Sequence, residues 1–206
     1  MASFDLFSVG HSNMAAERLL AILQAVGADA VADVRSVPFS RFFPFFSANN
    51  LRPGLAQAGF GYVSYGERLG GRPRDAGLYR DGVADYELMA RTPEFQAALD
   101  DLQREAAHRR LCLMCAEREP LDCHRCLLLA RALAPRGLRI GHILYDGSVE
   151  PHATTEQRLL ALDATESDLF APGQQDRLAA AYRRRAHAVA YRAKSGSAGA
   201  TSRSLE

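Results

Sequence analysis

No stretch of the chain approaches the roughly 20 consecutive apolar residues that a membrane-spanning helix needs, so no transmembrane segment and no membrane partner are expected. The N-terminus lacks a basic segment followed by an apolar one, because residues 4–9 already read as a strand. A secretory leader is therefore not expected, and the expected location is cytoplasmic. Net charge is small, at +1, which gives the chain as a whole no means of steering nucleic acid. There is one lysine, Lys194, so anion recognition falls to arginine, whose planar fork grips phosphate or carboxylate bidentately. The same arginine bias runs through every segment, which favours base composition as its origin. Cysteine is scarce and clustered: all four fall within the fifteen residues from Cys112 to Cys126. Such clustering does not make a disulfide framework. In a reducing compartment it points to metal binding, catalysis or chance.

What is present is the composition of a soluble globular protein, 48% hydrophobic and 24% charged over 206 residues. Apolar β-prone segments at residues 4–9, 30–35, 60–65, 111–116 and 139–145 alternate with helical patterns. Leu19, Leu20, Leu23 and Val26 show helical spacing in residues 14–26, with Ser12 or Asn13 as the expected cap and Gly27 as the stop. Residues 48–58 read as a helix weakened by Pro53 and Gly54. Residues 75–81 show no periodicity, and 84–91 look helical. Thr92-Pro93 is a helix start. A further helix is expected over 122–134. The pattern implies an α/β fold: a single three-layer domain with a mostly parallel sheet of about five strands and a helical C-terminal extension. The expected divisions are residues 1–146 for the domain, 147–192 for the extension, and 193–206 for a disordered tail ending in a tag remnant.

The chemistry concentrates where strands end. Cys115 closes a buried strand, a short loop carries Glu117, and Cys123-His124-Arg125 opens the next helix. Ligands in α/β proteins bind beyond the carboxyl ends of strands, at helix N-termini. His11 and Ser12 follow the first strand, and Asp33 and Arg35 end the second, so polar groups from three strands should share one crevice. The proton-transfer or nucleophilic candidates are Cys115, Glu117, Cys123, His124 and His11. The ligand-binding candidates are Arg35, Asp33, Ser12, Arg125, Gly70 and Gly71, the glycines offering backbone N–H groups to an anion.

A four-cysteine zinc site is disfavoured. Cys112 and Cys115 lie three apart on a strand and point to opposite faces, and Cys126 sits among leucines inside a helix. Cys112 and Cys126 read as small buried hydrophobes. A smaller zinc or iron site from Cys115, Cys123 and His124, with His11 added, remains open, although no cofactor is required by the sequence. His142 lies within its strand and reads as a hydrogen-bonded core histidine. The C-terminal region is uneven in charge. Residues 146–171 hold six acidic residues and one arginine, and residues 172–206 hold seven basic and two acidic. Arg183-Arg184-Arg185 could serve a nucleic-acid partner, or be a solvated helix face.

The ordered motifs Gly10-His11-Ser12, Asp33-Val34-Arg35-x-x-Pro38-x-Ser40, Leu69-Gly70-Gly71, Leu113-Met114-Cys115-x-Glu117-x-x-Pro120-x-x-Cys123-His124-Arg125 and His142-Ile143 resemble the bacterial and archaeal family called domain of unknown function 488. The resemblance covers roughly residues 4–145. It implies a compact α/β domain and no particular activity. A weaker similarity is to rhodanese-like domains, in which a strand ending in Asp-x-Arg precedes one that leads into a catalytic cysteine loop. The loop after Cys115 lacks that family's compact anion cradle. The leading expectation is an enzyme or binder of a small anionic, phosphate- or nucleotide-like ligand at the strand-end crevice. The alternatives are a metal-binding protein and a nucleic-acid-associated module.

Overall fold

The computed structural model describes residues 3–163 and 173–193. The chain opens with β1 (Leu6–Gly10), α1 (Ala16–Ala25) and β2 (Ala30–Asp33). A 3₁₀ turn at Pro44–Phe46 leads to α2 (Ala48–Gln57), β3 (Gly61–Ser64) and the short α3 (Gly66–Leu69). A small hairpin, β4 (Tyr79–Arg80) and β5 (Val83–Ala84), precedes α4 (Tyr86–Ala90) and α5 (Pro93–Ala106). Then come β6 (Leu111–Cys115), a 3₁₀ turn at Pro120–Asp122, a π-helical stretch at Arg125–Ala130 and α6 (Arg131–Leu133). The chain continues through β7 (Ile140–Ile143), β8 (Val149–Pro151), α7 (His152–Leu162) and α8 (Gln174–Val189). No described helix is long and apolar enough to cross a membrane.

The main sheet has the order β3-β2-β6-β1-β7-β8, parallel throughout except for the edge strand β8. Successive residues of its central strands feed two separate cores. Leu6, Ala30, Ala32, Leu111, Leu113 and Cys115 face one, with α4, α5, the π-helical stretch, α7 and α8. Phe7, Val9, Val31, Cys112 and Met114 face the other, with α1 and α2. A parallel sheet covered on both faces explains why these strands read as continuous apolar runs. Three layers result, as expected, with six strands in the sheet where about five were expected.

Local chemistry accounts for most element ends. Thr92 Oγ1 accepts from the Phe95 N–H at 3.3 Å and starts α5. Gly27, at φ +63°, ends α1. The expected cap at Ser12 or Asn13 is not used, and α1 starts only after Ala15. The reason lies in the sheet: the His11 and Ser12 N–H groups bond to the Cys115 and Ala116 carbonyls, extending the β1–β6 ladder past the strand end. Ser12 then turns the chain at φ +44°. The hairpin is built on Asp81-Gly82, both at positive φ, a turn signal legible in residues read as lacking periodicity. The expected helix over 122–134 begins later. Cys123 is extended, and its carbonyl accepts from the Leu127 N–H.

The loop after β6 is laid across the end of β1. The Glu117 carbonyl occupies the space that a Cβ on residue 10 would need, so this crossing requires Gly10. Arg125, with no solvent exposure, clamps the loop from below. Its Nη1 donates to the Glu117 carbonyl at 2.6 Å and its Nη2 to the Arg118 carbonyl at 2.9 Å, while its Nε has no hydrogen-bond partner.

The C-terminal helices join the same core through Leu159, Ala181, Tyr182 and Ala186. Beyond α8 the chain pairs with the hairpin: the Ala84 N–H donates to Tyr191 O, and the Ala193 N–H to Gly82 O. His142 is fully buried in β7 and hydrogen-bonded through both ring nitrogens. The tail expected to be disordered lies outside the described residues, apart from Ala193.

Replacing Gly10 by Ala forces the Glu117 carbonyl to move and should destabilise the fold by about 3 kcal/mol or more. Replacing Arg125 by Met strips the Glu117 and Arg118 carbonyls of charged donors, with an expected loss of about 3 kcal/mol. Urea denaturation of the two variants measures both, and wild-type midpoints would refute the crossing and the clamp.

Candidate functional site

β2, β6 and β1 are adjacent in the sheet, so their carboxyl ends bring Asp33-Val34-Arg35, Cys115 and His11 to one edge. A cleft of about 300 Å³ opens there. Of the residues expected at the site, His11, Arg35, Gly71, Cys115, Glu117 and His124 line it.

At its floor four side chains converge. Cys115 Sγ lies 2.7 Å from Glu117 Oε2 and 3.5 Å from His124 Nδ1. Cys123 Sγ lies 3.2 Å from the same carboxyl oxygen and 3.9 Å from the same ring nitrogen. One donor atom from each of Cys115, Glu117, Cys123 and His124 falls within 4.8 Å of the others. The His124 Nε2–H donates to the Val34 carbonyl at 2.9 Å, which leaves the Nδ1 lone pair facing the sulfurs. Gly71 packs flat on this ring; a Cβ there would stand 2.9 Å from His124 Cγ.

The two thiols are driven apart in acidity. Burial pushes Cys115 well up, and the hydrogen bond with Cys123 and the Glu117 carboxyl push it further. Burial opposes ionisation of Cys123 too. The hydrogen bond from Cys115, the Arg125 charge and His124 outweigh it and hold Cys123 well down. Burial also works against the His124 imidazolium, but Cys123 and Glu117 raise it overall. Two buried cysteines of unlike acidity, a buried imidazole and the exposed Glu117 carboxyl thus meet at one strand end.

The wall of the cleft is organised by a second cluster. Arg35 donates Nε–H to Asp33 Oδ1 at 2.8 Å and Nη2–H to Oδ2 at 2.5 Å, and its Nη1–H reaches His11 Nε2 at 3.2 Å. Three of five guanidinium N–H donors are thereby used, leaving two for the cleft. His11 donates Nδ1–H to Ser12 O and stacks on Phe46 at 4.2 Å. Burial, with the Arg35 charge, lowers it to about 4. It is therefore a neutral hydrogen-bond acceptor that positions Arg35, and it stands outside the group of metal donors.

Several expected ligand contacts do not reach the cleft. Asp33 is 1% exposed and is committed to Arg35 and to the Tyr62 hydroxyl. Arg125 is spent on backbone carbonyls, because its side chain points under the loop and away from the crevice. Ser12 turns away, and Gly70 packs against Ser36 and Gly66. Cys112 faces the opposite core from Cys115, as strand alternation requires, so no four-cysteine centre forms. Arg183, Arg184 and Arg185 are paired with Glu87, Asp163 and Asp122, respectively.

Other lining residues were missed. Ser36 and Arg72 neighbour motif residues and could have been found by adjacency. Tyr86 and Tyr191 carry no sequence signal, since α4 and the chain after α8 meet the sheet edge only in three dimensions. Tyr191 lies under the Arg72 guanidinium at 4.8 Å.

The family model described as Domain of unknown function DUF488 matches residues 15–132. No curated protein and no solved structure matches, and nothing among these comparisons supports the rhodanese-like similarity. The matched span runs from the start of α1 through β6, Glu117 and Cys123-His124-Arg125 to α6, more than half of the chain. The chain is therefore a member of the DUF488 family, defined by its sequence and by no assigned activity.

Proposed function

We propose that this protein holds a transition-metal ion, zinc or iron(II), through Cys115, Cys123, His124 and Glu117, and that the cleft above it admits a small anionic ligand. The observation that carries this reading is the donor cluster itself: two sulfurs, an imidazole nitrogen and a carboxyl oxygen within 4.8 Å of one another. Metal-binding histidines characteristically donate their second ring N–H to a carbonyl or carboxylate, and His124 does so to Val34. The mixed sulfur, nitrogen and oxygen set suits zinc or iron far better than magnesium or calcium.

Charge supports the same reading. Without a cation, burial first and then Cys123 and Glu117 push the Cys115 thiol well up, a shift a bound metal would reverse. Cys115, Glu117 and His124 are also the members of the group that line the cleft, so an incoming ligand would meet the metal from that side. Arg35, with two N–H donors left, would receive the ligand's negative charge. A metal there would act as a Lewis acid toward whatever it coordinates.

A second reading, a metal-free thiol site for an anion, is favoured by Arg35 and Cys115 sharing the cleft. It is weakened by the burial of the more acidic thiol, Cys123, behind the lining.

Metal analysis of protein purified without added metal should show bound zinc or iron. The Cys115→Ser/Cys123→Ser double variant should lose about one equivalent per chain. Wild-type protein that is metal-free and takes up neither Zn²⁺ nor Fe²⁺ on titration would overturn the proposal. A thermal shift with inorganic phosphate, abolished in Arg35→Ala, would then support the thiol reading.

A further inference from the structure

A second group of metal-type donors lies in the core, away from the cleft. His142 comes from β7, His152 from the first turn of α7, and Cys126 from the π-helical stretch. One donor atom from each falls within 4.8 Å of the others, and all three residues are buried.

The hydrogen bonds around the two imidazoles decide what this group can do. His142 Nδ1 lies 2.7 Å from Ser8 Oγ, and His152 Nε2 lies 3.2 Å from the Tyr182 hydroxyl. That hydroxyl donates to Glu156 Oε1 at 2.9 Å. The two inner nitrogens, His142 Nε2 and His152 Nδ1, face each other at 3.0 Å. Two inner lone pairs at that distance repel unless a proton or a cation stands between them.

Two arrangements meet the requirement. In one, every proton runs the same way, from Ser8 through His142 and His152 to Tyr182 and Glu156. In the other, both outer nitrogens carry the proton, toward Ser8 Oγ and Tyr182 Oη, and both inner lone pairs point with Cys126 Sγ at one spot. Hydroxyls can donate or accept, so the outer shell serves either state. Tetrahedral coordination with metal–nitrogen bonds of about 2.05 Å sets the two nitrogens roughly 3.3 Å apart, a few tenths of an ångström beyond their present spacing. Each imidazole already has the outer partner that orients a metal-bound histidine.

We infer that Cys126, His142 and His152 form a second site for a thiophilic transition-metal ion, oriented by Ser8 and Tyr182. One sulfur and two imidazole nitrogens suit zinc or copper, and exclude magnesium and calcium. Burial closes the site to the folded surface, so the ion enters as the C-terminal helices dock, and its binding is part of folding. The site would tie β7, α7, α8 and the helix that follows Cys123 together at one point.

Cobalt(II) is the probe, because its thiolate charge-transfer band reports sulfur coordination. Protein unfolded with a chelator and refolded with Co²⁺ should bind about two ions per chain, one at each proposed site. The Cys115→Ser/Cys123→Ser variant should keep about one ion and a thiolate band, which further replacement of Cys126 by Ser removes. Cys126→Ser in the otherwise wild-type chain should fall from about two ions to one, and retains the cleft cluster as a control. Wild-type protein that binds only at Cys115 and Cys123 would overturn this inference and leave the cleft proposal standing. A site that survives in the double variant while the wild type gains nothing from Cys115 and Cys123 would do the reverse. If Cys126→Ser folds and changes neither stoichiometry nor band, the core group is a hydrogen-bonded chain alone.

Discussion

The buried guanidinium of Arg125 is the constraint on which the rest of the site depends. It sits wholly out of solvent, and its two terminal nitrogens hold the carbonyls of Glu117 and Arg118. That grip presses the loop after β6 onto Gly10 at the end of β1. It also sets Glu117 beside the two sulfurs, since the side chain starts from a fixed backbone. Despite its burial, the Cys123 thiol beside this charge is held well below its ordinary value, first by the hydrogen bond from Cys115 and then by the guanidinium. Loop geometry therefore comes from this one side chain, and its charge adds to the hydrogen bond from Cys115 in holding the Cys123 thiol down. The residue that looked from its position like an anion receptor organises the site from beneath.

The two polar clusters at the sheet edge divide the work. Asp33, Arg35 and His11 form a rigid set in which every member is held by another, which gives the cleft wall a fixed cation with two free donors. Cys115, Glu117, Cys123 and His124 form the floor, two buried sulfurs and a buried imidazole beside the exposed Glu117 carboxyl. The proposed metal would sit in this floor, and the proposed anionic ligand would meet it beneath the Arg35 wall. The C-terminal helices complete the cleft by delivering Tyr191 to its mouth, held by backbone pairing to the β4–β5 hairpin.

Much of this was legible in residues 4–145. Strands alternating with helices foretold a layered domain with a mostly parallel sheet, and strand alternation placed Cys112 and Cys115 on opposite sides. The convergence of His11, Arg35, Cys115, Glu117 and His124 followed from parallel strands alone, since all carboxyl ends share an edge. Other features were not legible. Glycines 70 and 71 suggested an anion cradle, and only the packing of Ser36 and the His124 ring showed why side chains are excluded there. Ser12 had the right chemistry for a helix cap, but the sheet ladder holds its backbone on the Ala116 carbonyl, a partner more than a hundred residues away, and α1 starts only after Ala15.

The amino-acid sequence by itself determined the layer architecture, the edge at which the chemistry gathers and most of its members. These depend on local periodicity and on a topological rule that holds for any parallel sheet. Only the tertiary structure decided what each polar side chain faces. Arg35 follows β2 and Arg125 opens the helical stretch after β6, yet Arg125 is consumed by backbone carbonyls while Arg35 opens into a cleft. His142 and His152 meet because β8 pairs antiparallel with β7 and returns the chain beside it just before α7 begins. The direction of a buried polar group is set by which long-range partner satisfies it, and that partner is chosen by the whole fold.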